Sequence, residues 1–459
     1  MDQPPDRHRR DFLKQATTVG VGMALAGVAK ALPTDSSNHA SESPPRAGAS
    51  VAGLRAPKLD EVRVGMIGMG KRGLMDLNTL MLCPGVRINA VCDVVESFAD
   101  KARAMVEKKQ NHKPDTYTKG PEDYKNLCDR NDIDLVYIAT PWNWHVPMCV
   151  DAMNKQKHAM TEVPAATTID ECWQLVDTAE RTQKHCMILE NCCYGPAELL
   201  VLNMVRQGLF GELLHGEGAY LHDLRHTFFS YAHEGLWRTA EHVRHNGNLY
   251  PTHGLGPIAQ CMNINRGDRF DYLVSMSSPA LSLHEYAVEH LPPTDPWTKA
   301  KFIDGDINTS IIKTAKGRTI MVQHDTSNGR PYSRIHCLLG TRALFRGYPD
   351  RIYVDGKSKP DQYESPDDYK QYVHPLWAKL QEAAIAAGGH GGMDYVLNWR
   401  LIDCLHKGLP LDIDVYDTAA WSSVTDVSEK SVAQGSAPVP FPDFTRGQWK
   451  TMKPLEIVS

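Results

Sequence analysis

The sequence predicts an α/β protein in two parts: a doubly wound parallel sheet, then an α+β domain built on an open, largely antiparallel sheet. Three observations predict this. Short apolar runs alternate with helical stretches across residues 61–190, as strands joined by crossover helices do. A glycine-rich break, Gly68-Met-Gly-Lys-Arg-Gly73, falls between the first run and the first helix. After Asn191 strand-like runs follow one another, which suits a sheet of mainly antiparallel pairs. The chain has 459 residues, more than one compact core accommodates, so two domains are expected.

The N-terminus carries Arg9-Arg10-Asp11-Phe12-Leu13-Lys14, then a mildly apolar run over 16–29 that is short for a membrane span. Ala29-Lys30-Ala31 supplies small residues for cleavage. Residues 1–31 resemble a twin-arginine export signal, which implies a protein folded and loaded with cofactor before delivery to the periplasm, with no stable membrane insertion once the signal is removed. Residues 32–58, rich in Ser, Pro, Ala and Gly, read as a linker without a core. The first domain is expected over 59–192 and the second over 193–459, whose C-terminal helices have the length to pack back on the first domain.

Within the first domain, strands are expected at 64–67, 86–91, 133–140, 158–163 and 186–190. Helices are expected at 74–82, 96–110, 122–129, from 142 through 153, and at 169–182. In the second domain 197–207 reads as helix, and strand-like runs occur at 273–277, 309–313, 319–324 and 334–339. Between them residues 220–253 form a long polar segment loaded with His, Arg, Trp and Tyr. Helices return at 367–387 and 393–406.

Composition narrows the function classes. Hydrophobic residues at 42% and charged residues at 23% describe an ordinary globular protein. A net charge of -5 with interspersed signs gives no argument for a nucleic-acid partner or an anionic membrane. The 11 cysteines are scattered with no C-x-x-C pair, so mostly buried reduced thiols and no metal site are expected.

Gly68, Gly70 and Gly73 have the spacing of a Rossmann phosphate loop. The first permits a tight turn, the second lets backbone approach a pyrophosphate, and the third allows close helix–strand packing. Asp93 ends the second strand, where an acid accepts hydrogen bonds from an adenosine ribose, which favours NAD over NADP. Ligands bind beyond the carboxyl ends of such strands. That rule places Trp142, Asn143, Trp144, His145, Glu162, Val163 and Asn191 on the binding edge.

Four stretches together give a more specific resemblance: Gly68-Met-Gly-Lys-Arg-Gly73, Trp142-Asn-Trp-His145, Glu190-Asn-Cys-Cys-Tyr194 and Asn248-Leu-Tyr-Pro-Thr-His253. The chain resembles the glucose–fructose oxidoreductase and inositol dehydrogenase superfamily. Within it, the chain is similar to glycoside hydrolase family 109, the NAD-dependent α-N-acetylgalactosaminidases. The resemblance implies that Lys71, Arg72 and Asp93 contact the adenosine half of NAD, and that Trp142 to His145, Glu162, Val163 and Asn191 line the nicotinamide half. It implies that Tyr220, Arg238, Tyr250, Pro251, Thr252, His253 and Tyr332 face the sugar of an N-acetylgalactosamine-containing glycan.

Dehydrogenases of that superfamily show Glu-Lys-Pro where this chain has Glu162-Val163-Pro164. Valine moves no protons, so the loss favours hydrolysis over simple sugar oxidation. His253 is the candidate base, with Tyr250 and Tyr332 positioning the sugar or relaying protons. His145 is a second candidate, equally suited to a structural role, and His390 a weaker one. The expected route is oxidation at C3, deprotonation at C2, elimination, water addition and re-reduction, with NAD unconsumed. An exported sugar oxidoreductase and a non-catalytic sugar-binding protein are the alternative readings. An open sheet face also suits a homo-oligomer.

Overall fold

The computed structural model describes residues 43–230 and 236–456. The export signal and the linker up to residue 42 lie outside the described residues. From Ala40 onward the chain forms one compact unit.

Its first sheet is built from β1 (Val62–Ile67), β2 (Val86–Cys92), β3 (Asp115–Tyr117), β4 (Leu135–Ile138), β5 (His158–Thr161) and β6 (Cys186–Ile188). All pairs are parallel and the order is β3-β2-β1-β4-β5-β6, a Rossmann sheet. Helices on both faces bury it, so β4, β5 and β6 are buried along their whole length. The sequence reading missed β3, whose three residues at the sheet edge are too few to show a period.

The second sheet contains β7 (Leu213–Leu221), β8 (Phe270–Ser277), β9 (Asn308–Thr314), β10 (Thr319–Asp325), β11 (Cys337–Gly340), β12 (Ala343–Arg346), β13 (Arg351–Val354) and β14 (Val439–Pro440). Its order is β13-β12-β11-β7-β10-β9-β8-β14. Only β7 and β10 pair in parallel. The strand expected over 334–339 starts late, because Ile335 (φ 61°) and His336 (φ 45°) turn left-handed before the ladder begins at Cys337.

The helix Thr252–Cys261, which starts as the polar segment ends, was not read, since two glycines and a proline lower its helix propensity. The same glycines set its place. A Cβ on Gly254 would lie 2.1 Å from the Ala219 nitrogen, and one on Gly218 would lie 2.2 Å from the Gly254 carbonyl oxygen. Helix and strand backbones therefore touch, a close approach that only glycine permits. The helix expected over 367–387 breaks at Pro375, which opens a new helix, Pro375–Ala387, with His374 capping it.

The C-terminal helices lie against the Rossmann sheet. Asn398, on the helix Met393–Lys407, donates to Thr79 Oγ1 (3.0 Å) and accepts from the Tyr137 hydroxyl (3.2 Å). Thr418 and Ser422 accept from the amides of Ile188 (3.0 Å) and Ala165 (3.2 Å). All eleven cysteines are buried and unpaired. No helix of the described residues is long and apolar enough to cross a membrane.

The linker expectation needs correction from residue 43 onward. Val51 is buried, and Arg46 pairs with the buried carboxylate of Glu180. Ser50 Oγ lies 3.0 Å from the Tyr416 hydroxyl, and Gln183 donates to the Ala49 carbonyl at 2.7 Å. A segment poor in apolar residues is ordered because its polar groups find partners on two helices already in place.

Candidate functional site

The carboxyl ends of β1, β2 and β5 lead directly into Gly68, Asp93 and Glu162, and that of β6 reaches Glu190 through Leu189. Gly68 has φ +88°, and a Cβ there would strike the Ala139 carbonyl oxygen at 2.5 Å. A Cβ on Gly73 would overlap the Gly68 carbonyl oxygen, 1.8 Å away, whereas Gly70 faces open space. The helix Lys71–Leu80 begins at Gly70 without a side-chain cap, and Lys71 is exposed at its first position. Free amides at a helix start beside an open glycine suit a pyrophosphate. Asp93 accepts from the amides of Met69 (2.6 Å) and Val95 (2.8 Å), so the predicted ribose acid also braces the glycine turn. Burial pushes its carboxyl up, against the pull of those two amides. These features fit NAD.

Arg72, beside Lys71 in the phosphate loop, has its side-chain partners on other elements. Its guanidinium turns from the Asp93 end toward β5, donating to Glu162 Oε1 (2.8 Å) and to Asp394 Oδ2 (3.1 Å). It also pairs with the fully buried carboxyl of Asp76, 3.1 Å from Oδ1. Burial pushes the Asp76 carboxyl well above the usual carboxylate range, against the pull of Arg72. Burial also works against ionised Asp394, but His390, Arg72 and Asn191 hold it well below that range. Asn191 donates to Asp394 Oδ1 at 2.6 Å, and His390 Nδ1 sits 2.8 Å from Oδ2. His390 thus belongs to this ionic cluster, remote from the base role.

The Trp142-Asn143-Trp144-His145 segment divides its duties. Trp144 packs edge-on against Tyr124 (6.3 Å), and Asn143 is exposed. His145 is fully buried, with its ring nitrogens 2.8 Å from the carbonyl oxygens of Pro164 and Thr140. Burial depresses its basicity, and neither nitrogen is open to a substrate proton, which removes it as a base. Trp142 donates to the Val163 carbonyl (3.2 Å) and joins this edge to an aromatic chamber.

That chamber is assembled from five separate segments. Trp142 meets Trp237 (centroids 4.9 Å) and Tyr250 (6.0 Å); Tyr250 meets Tyr220 (4.5 Å) and His253 (4.9 Å). The Arg238 guanidinium lies over Trp237 (4.8 Å), Tyr250 (5.2 Å) and Trp142 (5.4 Å). Pro251 and Thr252 are buried at the start of the helix that presents His253. Tyr332 is more open and stands 6.2 Å from Tyr220, its hydroxyl accepting from Arg334 Nη1 at 3.1 Å. Burial pushes the hydroxyls of Tyr250 and Tyr332 up, so both stay protonated at neutral pH.

His253 Nδ1 lies 2.7 Å from Glu190 Oε1, and Glu190 is wholly buried. Burial opposes the charge on Glu190, yet His253, Thr252 and the Cys192 amide hold its carboxyl below the usual range. A carboxylate on Nδ1 fixes the tautomer and leaves Nε2 to accept a proton. Gly256 makes room, since a Cβ there would sit 3.0 Å from Glu190 Cγ. Glu190, Cys192 and His253 also bring donor atoms within 4.8 Å of one another. The Cys192 thiol is pushed up by burial and donates to Asn191 Oδ1 at 3.5 Å, so it is a protonated neighbour of the dyad.

Three residues of the site went unread as such: Asp394, Asp76 and, as the partner of His253, Glu190. Glu190 stood in a quoted motif at the end of a strand, which was a usable signal. Nothing in the sequence marks Asp76 or Asp394, because a helix acid ordinarily faces solvent.

A phosphate loop on a six-stranded parallel sheet, joined to an open-sheet domain that completes a chamber beside it, defines an NAD-binding protein of oxidoreductase fold. Residues 62–190 match the family described as "Oxidoreductase family, NAD-binding Rossmann fold". The fold is that of levoglucosan dehydrogenase, solved with NADH and L-sorbose, at TM-score 0.61 and 18% identity, covering 84% of this chain and 100% of that one. It is also that of scyllo-inositol dehydrogenase from Lactobacillus casei, solved with NAD(H) and scyllo-inositol, at TM-score 0.58 and 12% identity, covering 83% and 99%.

The chain belongs to glycosyl hydrolase family 109, whose C-terminal domain matches residues 194–451. A family 109 protein from Shewanella sp. strain W3-18-1 is 52% identical over 458 residues, 98% of this chain and 99% of that one. A protein from Shewanella oneidensis strain MR-1, named alpha-N-acetylgalactosaminidase, is 51% identical over the same share of each. The protein is thus a glycosidase that uses NAD.

Proposed function

We propose that the protein is an α-N-acetylgalactosaminidase that works by transient oxidation and elimination. The observation that carries this reading is the Glu190–His253 dyad, set in an aromatic chamber against the residues that would hold the nicotinamide. Direct displacement would need two carboxylates flanking the glycosidic bond. The chamber instead offers imidazoles, guanidinium groups and phenols, and its carboxylate Glu190 is spent on His253. The kinship with the Shewanella oneidensis relative supplies the sugar.

The glycine turn and Asp93 would hold the adenosine and phosphates of NAD, and Glu162, Val163 and Asn191 the nicotinamide. When bound, NAD supplies a hydride acceptor, and later a donor, for the sugar's C3. A carbonyl at C3 acidifies the neighbouring C2–H enough for an imidazole to remove it. His253 Nε2 takes that proton, while Glu190 holds Nδ1–H and stabilises the imidazolium. Tyr250 and Tyr332, kept protonated by burial, donate hydrogen bonds to sugar oxygens. The substituent leaves from C1 and takes up a proton, water adds its hydroxyl at C1 and gives up its second proton in exchange, and His253 returns a proton to C2; the proton lost from the C3 hydroxyl on oxidation is regained when the hydride returns. Val163 forms a passive wall where related dehydrogenases carry a lysine.

Hydrolysis in heavy water is the test. Elimination places deuterium at C2 of the released N-acetylgalactosamine, because His253 exchanges its proton with solvent. Product released with C2 unlabelled, read by NMR, would sink the reading. We further propose that residues 1–31 direct twin-arginine export to the periplasm, with NAD loaded before transit; a fusion of these residues to a reporter, blocked by a lysine pair at Arg9 and Arg10, tests it.

A further inference from the structure

The rings of the chamber continue past the residues assigned to the sugar. From Tyr250 the contacts step to Tyr220 (4.5 Å), then Tyr332 (6.2 Å), then Tyr348 (6.0 Å). Exposure rises along the same path: 6% and 8% for Tyr250 and Tyr220, then 38% for both Tyr332 and Tyr348. The path therefore starts beside the base and ends at the surface. Tyr348 and Tyr332 meet at 68°, nearly edge to face, which leaves each ring a face not covered by the other. Behind both lies Arg334, with its guanidinium 5.8 Å from the Tyr332 ring and 5.6 Å from the Tyr348 ring. Arg334 is buried and paired with the buried Glu198, so this backing is fixed rather than mobile.

Tyr348 occupies the turn between β12 and β13 with φ +58°, a conformation that costs a bulky residue energy and that Asn or Gly would adopt more readily. A large aromatic side chain retained in such a turn, half-exposed and braced by an arginine, suits stacking on a pyranose.

We propose that Tyr348 is the platform of a second sugar subsite, which holds the residue on the leaving side of the N-acetylgalactosamine. The assignment rests on the proposed activity and deepens it: the substrate class is an oligosaccharide, and the ring next to the scissile bond rests on Tyr348. A pyranose presents axial C–H bonds to an aromatic face, and its hydroxyls stay in water at the rim. A half-exposed tyrosine offers both environments. Tyr220 and Tyr250, buried beside His253, cannot serve the second ring.

The experiment compares two ligands on the NAD-loaded protein by calorimetry: free N-acetylgalactosamine, and a disaccharide that carries it α-linked at the non-reducing end. The variant is Tyr348→Asn, which removes the ring and keeps a residue suited to positive φ; Tyr348→Phe keeps the ring. We expect Tyr348→Asn to weaken the disaccharide about tenfold and the monosaccharide less than about twofold, with Tyr348→Phe close to wild type for both. Hydrolysis of the disaccharide should show the same loss in KM with kcat kept. Equal weakening of both sugars, or a loss confined to thermal stability, would mean that the two rings merely shield Arg334, and would overturn the subsite. Binding of neither sugar by the wild type would overturn the galactosaminidase reading and the subsite with it.

Discussion

The two halves of the site are built from different material. The cofactor edge is mostly backbone: Gly68, Gly70 and Gly73 shape it by what they lack, and Asp93 braces it through two amides. The sugar chamber is side chains brought from residues 142, 190, 220, 238, 250, 253 and 332. A dinucleotide is an invariant ligand, so a contiguous loop can carry its recognition. A sugar must be met on several faces at once, which takes segments far apart in sequence. The lesson is that substitutions should separate the two halves, binding on one side and turnover on the other.

The largest separation is expected for His253→Ala. Loss of the base should slow hydrolysis by about 10²–10⁴-fold. NAD affinity, measured by fluorescence titration, should not change, since His253 touches no residue of the glycine turn. A matching loss of NAD binding would break the division between the halves.

Asp93→Ala is the reciprocal test. Weaker NAD binding by about 1–3 kcal/mol is expected for loss of a charged acceptor. Turnover at saturating NAD should hold. Unchanged affinity would assign the ribose contact elsewhere and leave Asp93 only its brace on Met69 and Val95.

How much of this was legible divides along the same line. The strand–glycine–helix–strand–acid order is local and was read directly, as was the run of parallel strands. The chamber was named through resemblance, and the dyad was not named at all. Glu190 and His253 are brought together by the touching backbones of Gly218 and Gly254 and by the room at Gly256, contacts between distant segments that no local pattern shows. The partners of Arg72 were out of reach for the same reason. Its sequence position is in the phosphate loop, but Asp394, over three hundred residues on, decides where its side chain goes. The strap from Ser43 looked like linker because its partners, Glu180 and Tyr416, are supplied by other elements.

The smallest expected effect treats both halves alike. Burial depresses His185 in the first domain and His324 and His374 in the second to about 4, from 6.5 when exposed. Because the folded state binds fewer protons, this stability is present above pH 6.5 and is lost as pH falls toward about 4. His245, raised to about 10 by Glu241 and Glu429, runs the other way and loses its contribution as pH rises through that value. Urea midpoints should therefore drop from pH 7 to pH 5. One transition for both domains is expected, and two transitions would show that the halves unfold separately.

Glu180 has a consequence in the order of synthesis. Its buried carboxylate is neutralised by Arg46, made long before it, and by Arg446, made 266 residues after it at a distance of 3.0 Å in the finished fold. At 5–20 residues per second, the second arginine follows Glu180 by roughly 15–50 s. Ser43 likewise donates to the carbonyl of Asp443, and Arg446 to that of Pro44. The segment from Ser43 therefore cannot finish docking until Asp443 and Arg446 have left the ribosome, so its seating is one of the late events of folding.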